Sequence, residues 1–227
     1  MPTILLIRHG QASFGTSDYD VLSELGERQA RLVGEALASR GLRPRVVVTG
    51  SLRRQIDTAA IAAADDWPAA RPDPRWNEYD ADDVLTAHST SAARLQHADG
   101  TAVPALTTRE FQAVLDEALF KWIEGGGESE ARQQWPSFET AGHGALAELA
   151  SELGRGELGL VFTSAGTIAA TCAKVLALPP DAFVALNRVQ INTGITKLVF
   201  GERGASMVSF NDHSHLEAGD RSLITFR

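Results

Sequence analysis

The chain has 227 residues, which is long enough to bury a full hydrophobic core and fits a single domain, 1–227, better than two. Hydrophobic residues make up 44% of it and charged residues 22%, proportions that are typical of an ordinary soluble protein. The formal net charge of -8 argues against a general nucleic-acid binder, because such proteins gain affinity by neutralising phosphates with Lys and Arg.

Three sequence signals bear on location. The longest apolar runs are far shorter than a membrane-spanning helix, and the amino-terminal stretch does not resemble a secretory signal. Cys172 is the only cysteine, so an internal disulfide is excluded, which suits a reducing compartment. It lies in an apolar helical pattern, which predicts a buried thiol rather than a reactive one. We therefore expect a cytoplasmic protein without a membrane partner.

The first predicted element is a strand that ends in charge. Residues Ile4 to Ile7 are all apolar, which predicts a buried strand of a parallel sheet, and Arg8, His9 and Gly10 follow at once. The carboxyl ends of such strands face the crevice where ligands bind in open α/β sheets. There, Arg8 would offer donors to a phosphate or carboxylate and His9 a nucleophilic or acid-base nitrogen. On the tripeptide alone, an arginine paired with a core acid remains an alternative.

The next elements repeat a helix, strand and helix order. Ser23 is a candidate N-cap for a helix that ends near Gly41, and Val46 to Val48 predict a second strand. A second helix opens with Arg53 and Arg54, whose charges oppose the helix dipole unless an anion binds there. Both interpretations, an anion site and a solvated pair of charges, stay open at this point.

A third strand end is predicted at Arg75–Tyr79, where Glu78 would supply a carboxylate. The acids Asp80, Asp82 and Asp83 follow, but their spacing lacks the other ligands of a calcium loop, so we assign no metal. From about 80 to 136 the alternation of strands and helices lapses, which predicts a helical insertion over the crevice. Within it, Thr107 and Glu110 form a capping-box pattern at the start of an amphipathic helix.

The remaining chain returns to the strand and helix order. Leu158 to Thr163 predict a buried strand, followed by the small residues Ser164 to Thr167 at the start of a helix. Small residues at such a turn suit either an anion or tight packing, and both remain open. Two late strands, 194–200 and 205–210, are predicted to form a hairpin around Gly201 to Gly204.

Several short motifs, taken in order, carry a resemblance to a known family. They are Arg8-His9-Gly10-Gln11, Leu22-Ser23-Glu24-Leu25-Gly26 with Gln29-Ala30, Leu52-Arg53-Arg54 leading to Thr58-Ala59, Gly127-Glu128-Ser129, Asn192-Thr193-Gly194-Ile195-Thr196, and Asn211-Asp212 with His215-Leu216. Together they resemble the histidine phosphatase superfamily in its phosphoglycerate mutase-like branch, over nearly the whole chain. The resemblance implies a three-layer α/β/α sandwich with a mostly parallel sheet and a helical insertion over the active site.

The resemblance also implies a role for each matching residue. His9 would attack a phosphoryl group and become phosphohistidine, while Arg8 and Arg54 would hold the phosphoryl oxygens. Glu78 matches the acid that protonates the leaving oxygen and later accepts a proton from water. Gln11 is expected to contact the phosphate. The resemblance requires no metal and no organic cofactor.

Two positions depart from the family's pattern. The second histidine that the family places after the later strand falls at Ser164, which can donate a hydrogen bond but cannot supply a cation. We expect Ser164 to contact phosphate in this weaker way. The asparagine often found shortly after Arg-His-Gly falls at Gly15. His213 is a candidate to compensate from the carboxyl-terminal segment, with a structural histidine as its alternative.

The predicted function is phosphoryl transfer through His9, with phosphomonoester hydrolysis as the expected reaction. Mutase activity is one alternative, and it would require a phosphoenzyme guarded from water and primed by a bisphosphate. A phosphate-binding or interaction module that has lost efficient turnover is the other. The expected partner is a small phosphorylated substrate or a phosphoprotein.

Overall fold

The computed structural model describes residues 1–13, 20–88, 107–217 and 220–226, and Gly15 lies outside these ranges. Within them, one six-stranded sheet has the order β3-β2-β4-β1-β5-β6. Its strands are β1 Thr3–Arg8, β2 Val46–Thr49, β3 Arg71–Pro72, β4 Leu158–Thr163, β5 Ile195–Gly201 and β6 Gly204–Asp212. Strands β3, β2, β4 and β1 are parallel neighbours, whereas β5 and β6 are antiparallel additions at one edge.

Helices cover the sheet and extend beyond it. Those in the described ranges are α1 Glu24–Ser39, α2 Arg53–Ala62, α3 Ala81–Ala87, α4 Thr108–Gly125, α5 Trp135–Glu152, α6 Ala165–Val175, α7 Ala182–Arg188 and α8 Ser214–Glu217. Short 3-10 turns occupy Pro74–Trp76, Gly126–Glu128 and Arg221–Leu223. None of the helices in the described part of the chain is long and apolar enough to cross a membrane.

Alternate residues of the buried strands pack into cores on opposite sides of the sheet. On one side, Leu5 and Ile7 pack with Val33 and Leu37 of α1 and Ala59 of α2. On the other, Ile4 and Leu6 pack with residues of α5 and α6 that include Leu146, Leu149 and Ile168. Because successive side chains of a strand point to opposite faces, this arrangement places the sheet between two helical layers. The predicted α/β/α sandwich with a mostly parallel sheet is confirmed.

A third core lies beside the sheet and includes Tyr79 with residues of α3 to α7. The Tyr79 ring lies 5.5 Å from that of Trp122 in α4, 5.8 Å from Phe138 in α5 and 6.1 Å from Phe183 in α7. The chain next to Glu78 is therefore held by a packed aromatic cluster. Helices α3 and α4 fall in the segment 80–136, and the organisation as one domain with an insertion there stays a prediction.

The third strand differs from the sequence-based expectation. Strand β3 is only two residues long and ends at Pro72, so 75–79 is not a strand end. Asp73 and Pro74 explain the difference, because the Asp73 side chain accepts a hydrogen bond from the Arg75 N-H and starts a 3-10 turn with Pro74 in its first position. Glu78 therefore reaches the site from an extended segment that follows this turn.

Cys172 is buried in α6, as its apolar surroundings predicted. Burial raises the pKa of its thiol to about 12, so the thiolate form is strongly disfavoured.

Candidate active site

The end of β1 is fixed by hydrogen bonds to two other elements and by packing against a third. The His9 N-H donates to the Thr163 carbonyl at the end of β4 at 2.8 Å, and the Gly10 N-H donates to Thr58 Oγ1 in α2 at 3.0 Å. Gly10 also packs directly on the start of α1, where a Cβ atom would lie 2.4 Å from the Gly26 carbonyl oxygen. A larger residue at this turn would push the nucleophile candidate out of place, so glycine is required by packing.

The imidazole of His9 is buried and has a defined orientation, with 5% of the residue exposed. Its Nδ1 lies 2.7 Å from the Gly10 carbonyl oxygen, and because a carbonyl only accepts, Nδ1 carries the hydrogen of the neutral ring. The other nitrogen, Nε2, then holds a lone pair, to which Arg54 Nε donates at 3.2 Å. The atom that would attack a phosphoryl group is therefore unprotonated and faces a cation.

The electrostatic surroundings keep this imidazole neutral. Burial lowers the pKa of His9 well below its ordinary value, the charges of Arg54 and Arg8 lower it further, and the bond to Gly10 opposes them. A neutral imidazole is the nucleophilic form, since protonation would occupy the Nε2 lone pair. The ring is thus in its reactive form at neutral pH.

The two arginines at the start of α2 have different environments, so they do not form a single solvated pair of charges, and anion binding by Arg54 stays a prediction. Arg53 is exposed and pairs with Asp57 one turn later, at 3.5 Å. Arg54 is buried, with 8% exposed, and its Nη1 lies 2.6 Å from Asp20 Oδ1. Arg54 rather than Arg53 therefore turns its guanidinium toward His9.

Arg8 is held from behind by backbone carbonyls. Its Nη1 donates to the carbonyl oxygens of Gln190 at 2.6 Å and Phe226 at 2.9 Å. The turn at Asn192 and Thr193 supports the same strand end, since the Asn192 amide donates to the His9 carbonyl at 3.1 Å and the Thr193 N-H to that of Arg8 at 3.1 Å. The sequence did not predict these supporting contacts, although the Asn-Thr-Gly motif marked their place.

Glu78 is the carboxyl of the candidate site, and its surroundings favour the protonated form more than water does. Its Oε2 accepts from the Gly166 N-H at 3.1 Å, at the start of α6, and its Oε1 accepts from the Tyr79 N-H at 3.3 Å. Burial raises the pKa of this carboxyl, while the Gly166 N-H and the charges of Arg54 and Arg8 oppose the rise. Both guanidinium groups thus act on the carboxyl, which places Glu78 at the same site as His9.

Ser164 is completely buried at the N-cap position of α6. Its Oγ accepts from Gln55 Nε2 at 2.8 Å, and the same amide donates to the Trp76 carbonyl at 3.0 Å. The polar partner beside Ser164 is therefore the neutral amide of Gln55, which the sequence reasoning missed. The position of Gln55 directly after Arg54 is the one sequence signal that pointed to a place for Gln55 in this site.

Two other residues predicted to contact phosphate, Gln11 and His213, have protein partners in the structure. Gln11 Oε1 accepts from the Ser23 hydroxyl at 2.9 Å, beside the start of α1. The His213 ring lies 2.8 Å from the Asn211 carbonyl oxygen and 3.5 Å from Glu217 Oε1. Among the described residues, these contacts join His213 to its own segment rather than to His9. Phosphate binding by Gln11, Ser164 or His213 stays a prediction.

Two of the three acids after Glu78, Asp80 and Asp83, belong to an ion-pair cluster at the start of α3. Asp80 accepts from the Asp83 N-H, and both carboxylates pair with Arg132, at 2.8 Å and 2.9 Å. Within the described ranges, no group of three or more His, Cys, Asp or Glu side chains lies together as possible metal ligands.

A neutral nucleophilic imidazole, two guanidinium groups and a carboxyl of raised pKa can together attack an anionic ester and protonate its leaving group. The family model of the histidine phosphatase superfamily, branch 1, matches residues 4–213. The chain belongs to this superfamily. The match therefore confirms the resemblance that the motifs carried, and it supports phosphoryl transfer as the class of reaction.

Similar proteins include mutases and phosphatases. The 2,3-bisphosphoglycerate-dependent phosphoglycerate mutase of Corynebacterium diphtheriae is 44% identical over 84 residues, which are 33% of this chain and 34% of that protein. That of Thermobifida fusca is 45% identical over 69 residues, or 27% of this chain and 28% of that protein. The chain thus matches only about a third of the length of these curated relatives.

Solved structures are similar over much more of the chain. A phosphoserine phosphatase mutant from Entamoeba histolytica, in complex with phosphoserine, has a TM-score of 0.68 and 18% identity over 95% of this chain and 100% of that one. A mycobacterial glucosyl-3-phosphoglycerate phosphatase in complex with VO3 has a TM-score of 0.66 and 23% identity over 92% and 98%. At these identities the likeness establishes the shared fold.

Proposed function

We propose that the protein hydrolyses phosphomonoesters through a covalent phosphohistidine at His9. One observation carries this proposal: the unprotonated Nε2 of a buried, neutral imidazole faces the guanidinium of Arg54 at 3.2 Å. A basic nitrogen lone pair beside a buried cation suits attack on an anionic phosphorus centre, because the cation offsets the repulsion between nucleophile and anion.

The reaction would proceed in two steps. In the first, His9 Nε2 forms a bond to phosphorus, the ester P-O bond breaks, and Glu78 donates its proton to the leaving oxygen. In the second, a water molecule attacks the phosphohistidine, Glu78 accepts a proton from that water, and the P-N bond breaks to release inorganic phosphate. Arg54 and Arg8 would stabilise the negative charge on the phosphoryl oxygens in both steps.

The substrate is a small phosphorylated molecule or a phosphoprotein. The names of the similar structures, a phosphoserine phosphatase and a glucosyl-3-phosphoglycerate phosphatase, support hydrolysis of a phosphomonoester. Location in the cytoplasm belongs to the same proposal, and the single, buried cysteine is compatible with a reducing compartment.

Mutase activity is the second candidate, and the match to phosphoglycerate mutases at 44% identity over 84 residues favours it. The two reactions share the first step and differ in what accepts the phosphoryl group, water or a second hydroxyl. Incubation with a phosphoglycerate and 2,3-bisphosphoglycerate separates them. Release of inorganic phosphate supports hydrolysis, whereas interconversion of phosphoglycerates without such release supports the mutase.

The test of the proposal compares the wild type with His9→Ala on a panel of phosphomonoesters. We expect the substitution to lower turnover by about a thousandfold or more, because it removes the nucleophile of a covalent mechanism. Labelled substrate should leave an acid-labile, alkali-stable phosphoryl group on the wild type and none on His9→Ala. His143→Ala, which removes a histidine from α5 outside the site, is the matched control.

Equal rates for the wild type and His9→Ala, without a labelled protein, would contradict the proposal. That result together with retained phosphate binding would instead support a binding module, the alternative that the loss of the second histidine at Ser164 suggests.

A further inference from the structure

Asp20 makes three contacts at the start of α2. Its Oδ2 accepts from the Arg53 N-H at 2.8 Å, its Oδ1 accepts from the Arg54 N-H at 3.5 Å, and Oδ1 also lies 2.6 Å from Arg54 Nη1. Leu52, the N-cap residue of this ten-residue helix, has no side-chain oxygen to cap it. The carboxylate of Asp20 therefore supplies from a distant part of the chain what the helix lacks locally.

The same carboxylate sets the direction of the Arg54 guanidinium. A guanidinium is planar, and its Nε-H and the outer hydrogens of Nη1 lie on different edges of the plane. Asp20 holds the Nη1 edge, while Nε donates to His9 Nε2 at 3.2 Å. The backbone amides of α2 hold the Asp20 carboxylate, and this carboxylate holds the Nη1 edge of the guanidinium. Rotation of the guanidinium plane is therefore restricted, and the Nε edge faces the nucleophile.

The pair is less exposed than many ion pairs of this chain, so the loss of one partner should be more costly than in a surface pair. Only 10% of the Arg54 side chain and 34% of the Asp20 side chain are exposed, whereas many ion pairs of this chain are more than half exposed on at least one side. A buried guanidinium needs a partner to offset its lost hydration. Glu78 also interacts with the charge of Arg54, so removal of Asp20 would leave the guanidinium between an imidazole and this second carboxyl.

We propose that Asp20 is a positioning residue for phosphoryl transfer: it caps α2 and holds Arg54 by Nη1, so that the Nε edge of the guanidinium faces His9 and the phosphoryl group bound there. This inference rests on the proposed function, because a transferred phosphoryl group is what the positioned edge would bind. The contacts of Asp20 described above are with Arg53 and Arg54, so Asp20 would act on the reaction through Arg54.

The test uses Asp20→Asn, which keeps one oxygen acceptor for the helix amides but removes the charge that holds Nη1. Asp57→Asn is the matched control, since it makes the same change in another ion pair of the same helix, with Arg53. The first measurement is the 15N resonance of His9 Nε2 in the unliganded protein. In Asp20→Asn it should shift downfield, because the hydrogen bond from Arg54 Nε is lost, and in Asp57→Asn it should stay in place.

The second measurement is the turnover of p-nitrophenyl phosphate. We expect Asp20→Asn to lower kcat by roughly ten- to a hundredfold while KM changes by less than about threefold. The reason is that a misplaced Arg54 guanidinium loses mainly its contacts with the transition state. Asp57→Asn should stay within about twofold of the wild type. A cap role alone would lower the unfolding temperature of Asp20→Asn and leave both the His9 resonance and kcat unchanged.

The outcomes separate this inference from the proposed function. An unchanged His9 resonance, or a shifted resonance with unchanged kcat, overturns the positioning role of Asp20. A wild type without turnover that depends on His9 contradicts the proposed function. In that case the resonance alone decides about Asp20: a shift supports its hold on Arg54, and no shift overturns it.

Discussion

The two walls of the candidate site differ in charge. One, which we name the nucleophile wall, consists of Arg8, His9 and Arg54, and it brings two buried guanidinium groups to one imidazole. The other, the acid wall, consists of Glu78, Ser164 and Gly166, and it offers a carboxyl, a hydroxyl and a backbone N-H. If the proposed function holds, the comparison teaches that binding of an anion depends on the nucleophile wall, whereas proton transfer depends on the acid wall.

The walls also differ in how they are held. In the nucleophile wall, the strand end that carries Arg8 and His9 is fixed by backbone hydrogen bonds, such as that from the His9 N-H to the Thr163 carbonyl, while Arg54 of α2 is held by the carboxylate of Asp20. The acid wall depends on side chains, because Gln55 links Ser164 to Trp76 and thereby joins β4, α2 and the segment before Glu78. Since Gln55 follows Arg54 directly, the start of α2 contributes to both walls. Displacement of this helix would therefore disturb Arg54 and the surroundings of Glu78 together.

The two walls should differ most in how far kcat falls when one polar group is removed from each. Arg54→Gln takes a buried charge from the nucleophile wall, and we expect kcat for a phosphomonoester to fall by about a thousandfold. Ser164→Ala removes one neutral hydroxyl from the acid wall, and the fall should be less than about tenfold. Steady-state kinetics on a single substrate measure both. A loss in Ser164→Ala as large as that in Arg54→Gln would contradict the assignment of anion binding to the nucleophile wall.

The contribution of the acid wall should depend on the leaving group of the substrate. We expect Glu78→Gln to slow hydrolysis of an alkyl phosphomonoester by about a hundred- to a thousandfold, because an alkoxide needs a proton to leave. Hydrolysis of p-nitrophenyl phosphate should fall by less than about tenfold if attack by His9 limits the rate, since nitrophenolate leaves without one. Glu148→Gln, which alters an exposed ion pair with Arg75, is the control.

The pH profile of the same variant sharpens this assignment. The first step needs Glu78 protonated and His9 neutral, so kcat/KM of the wild type should fall as pH rises through the raised pKa of Glu78. It should also fall as pH drops through the lowered pKa of His9. Glu78→Gln should lose the fall at higher pH and keep the fall at lower pH. A Glu78→Gln variant that kept the fall at higher pH, or that lost equal activity on the alkyl ester and on p-nitrophenyl phosphate, would contradict the role of Glu78 as the acid.

Local sequence signals predicted many of the elements on which these walls depend. Ser23 caps α1 and Thr107 with Glu110 caps α4, because a cap needs only residues within one turn. Strand β4 has the predicted bounds Leu158–Thr163, since its buried run is continuous. The predicted hairpin of β5 and β6 is likewise confirmed. Such signals also placed Arg8 and His9 at the end of a buried strand.

Contacts between distant residues could not be predicted in this way. Asp20 and Arg54 are 34 positions apart, and Gln55 and Ser164 are 109 apart, so neither pair leaves a periodic or local pattern. The short helices α3 and α7 were missed for a related reason, because their stability comes from packing in the aromatic core rather than from helix length. Sequence alone therefore found the candidate residues, while their orientation required the fold.

The smallest structural change, and the finest test of the acid wall, is the addition of one methyl group at Gly166. At Gly166 a Cβ atom would lie 2.2 Å from Glu78 Oε1 and 2.6 Å from Cε1 of Tyr79. Tyr79 is packed among aromatic rings and cannot move easily, so Glu78 must shift away from the Gly166 N-H. We expect Gly166→Ala to destabilise the protein by about 1–3 kcal/mol and to slow alkyl phosphomonoester hydrolysis by about tenfold.

The matched control is Gly144→Ala, an exposed position inside α5 where a Cβ atom would meet nothing within 4 Å. Alanine there should stabilise the protein by up to about 1 kcal/mol, because glycine loses more backbone freedom on folding. Urea unfolding of both variants measures the difference. If the two substitutions changed the free energy of unfolding equally, the close approach of Glu78 and Tyr79 to the start of α6 would be refuted, and with it the backbone contact that holds the acid in place.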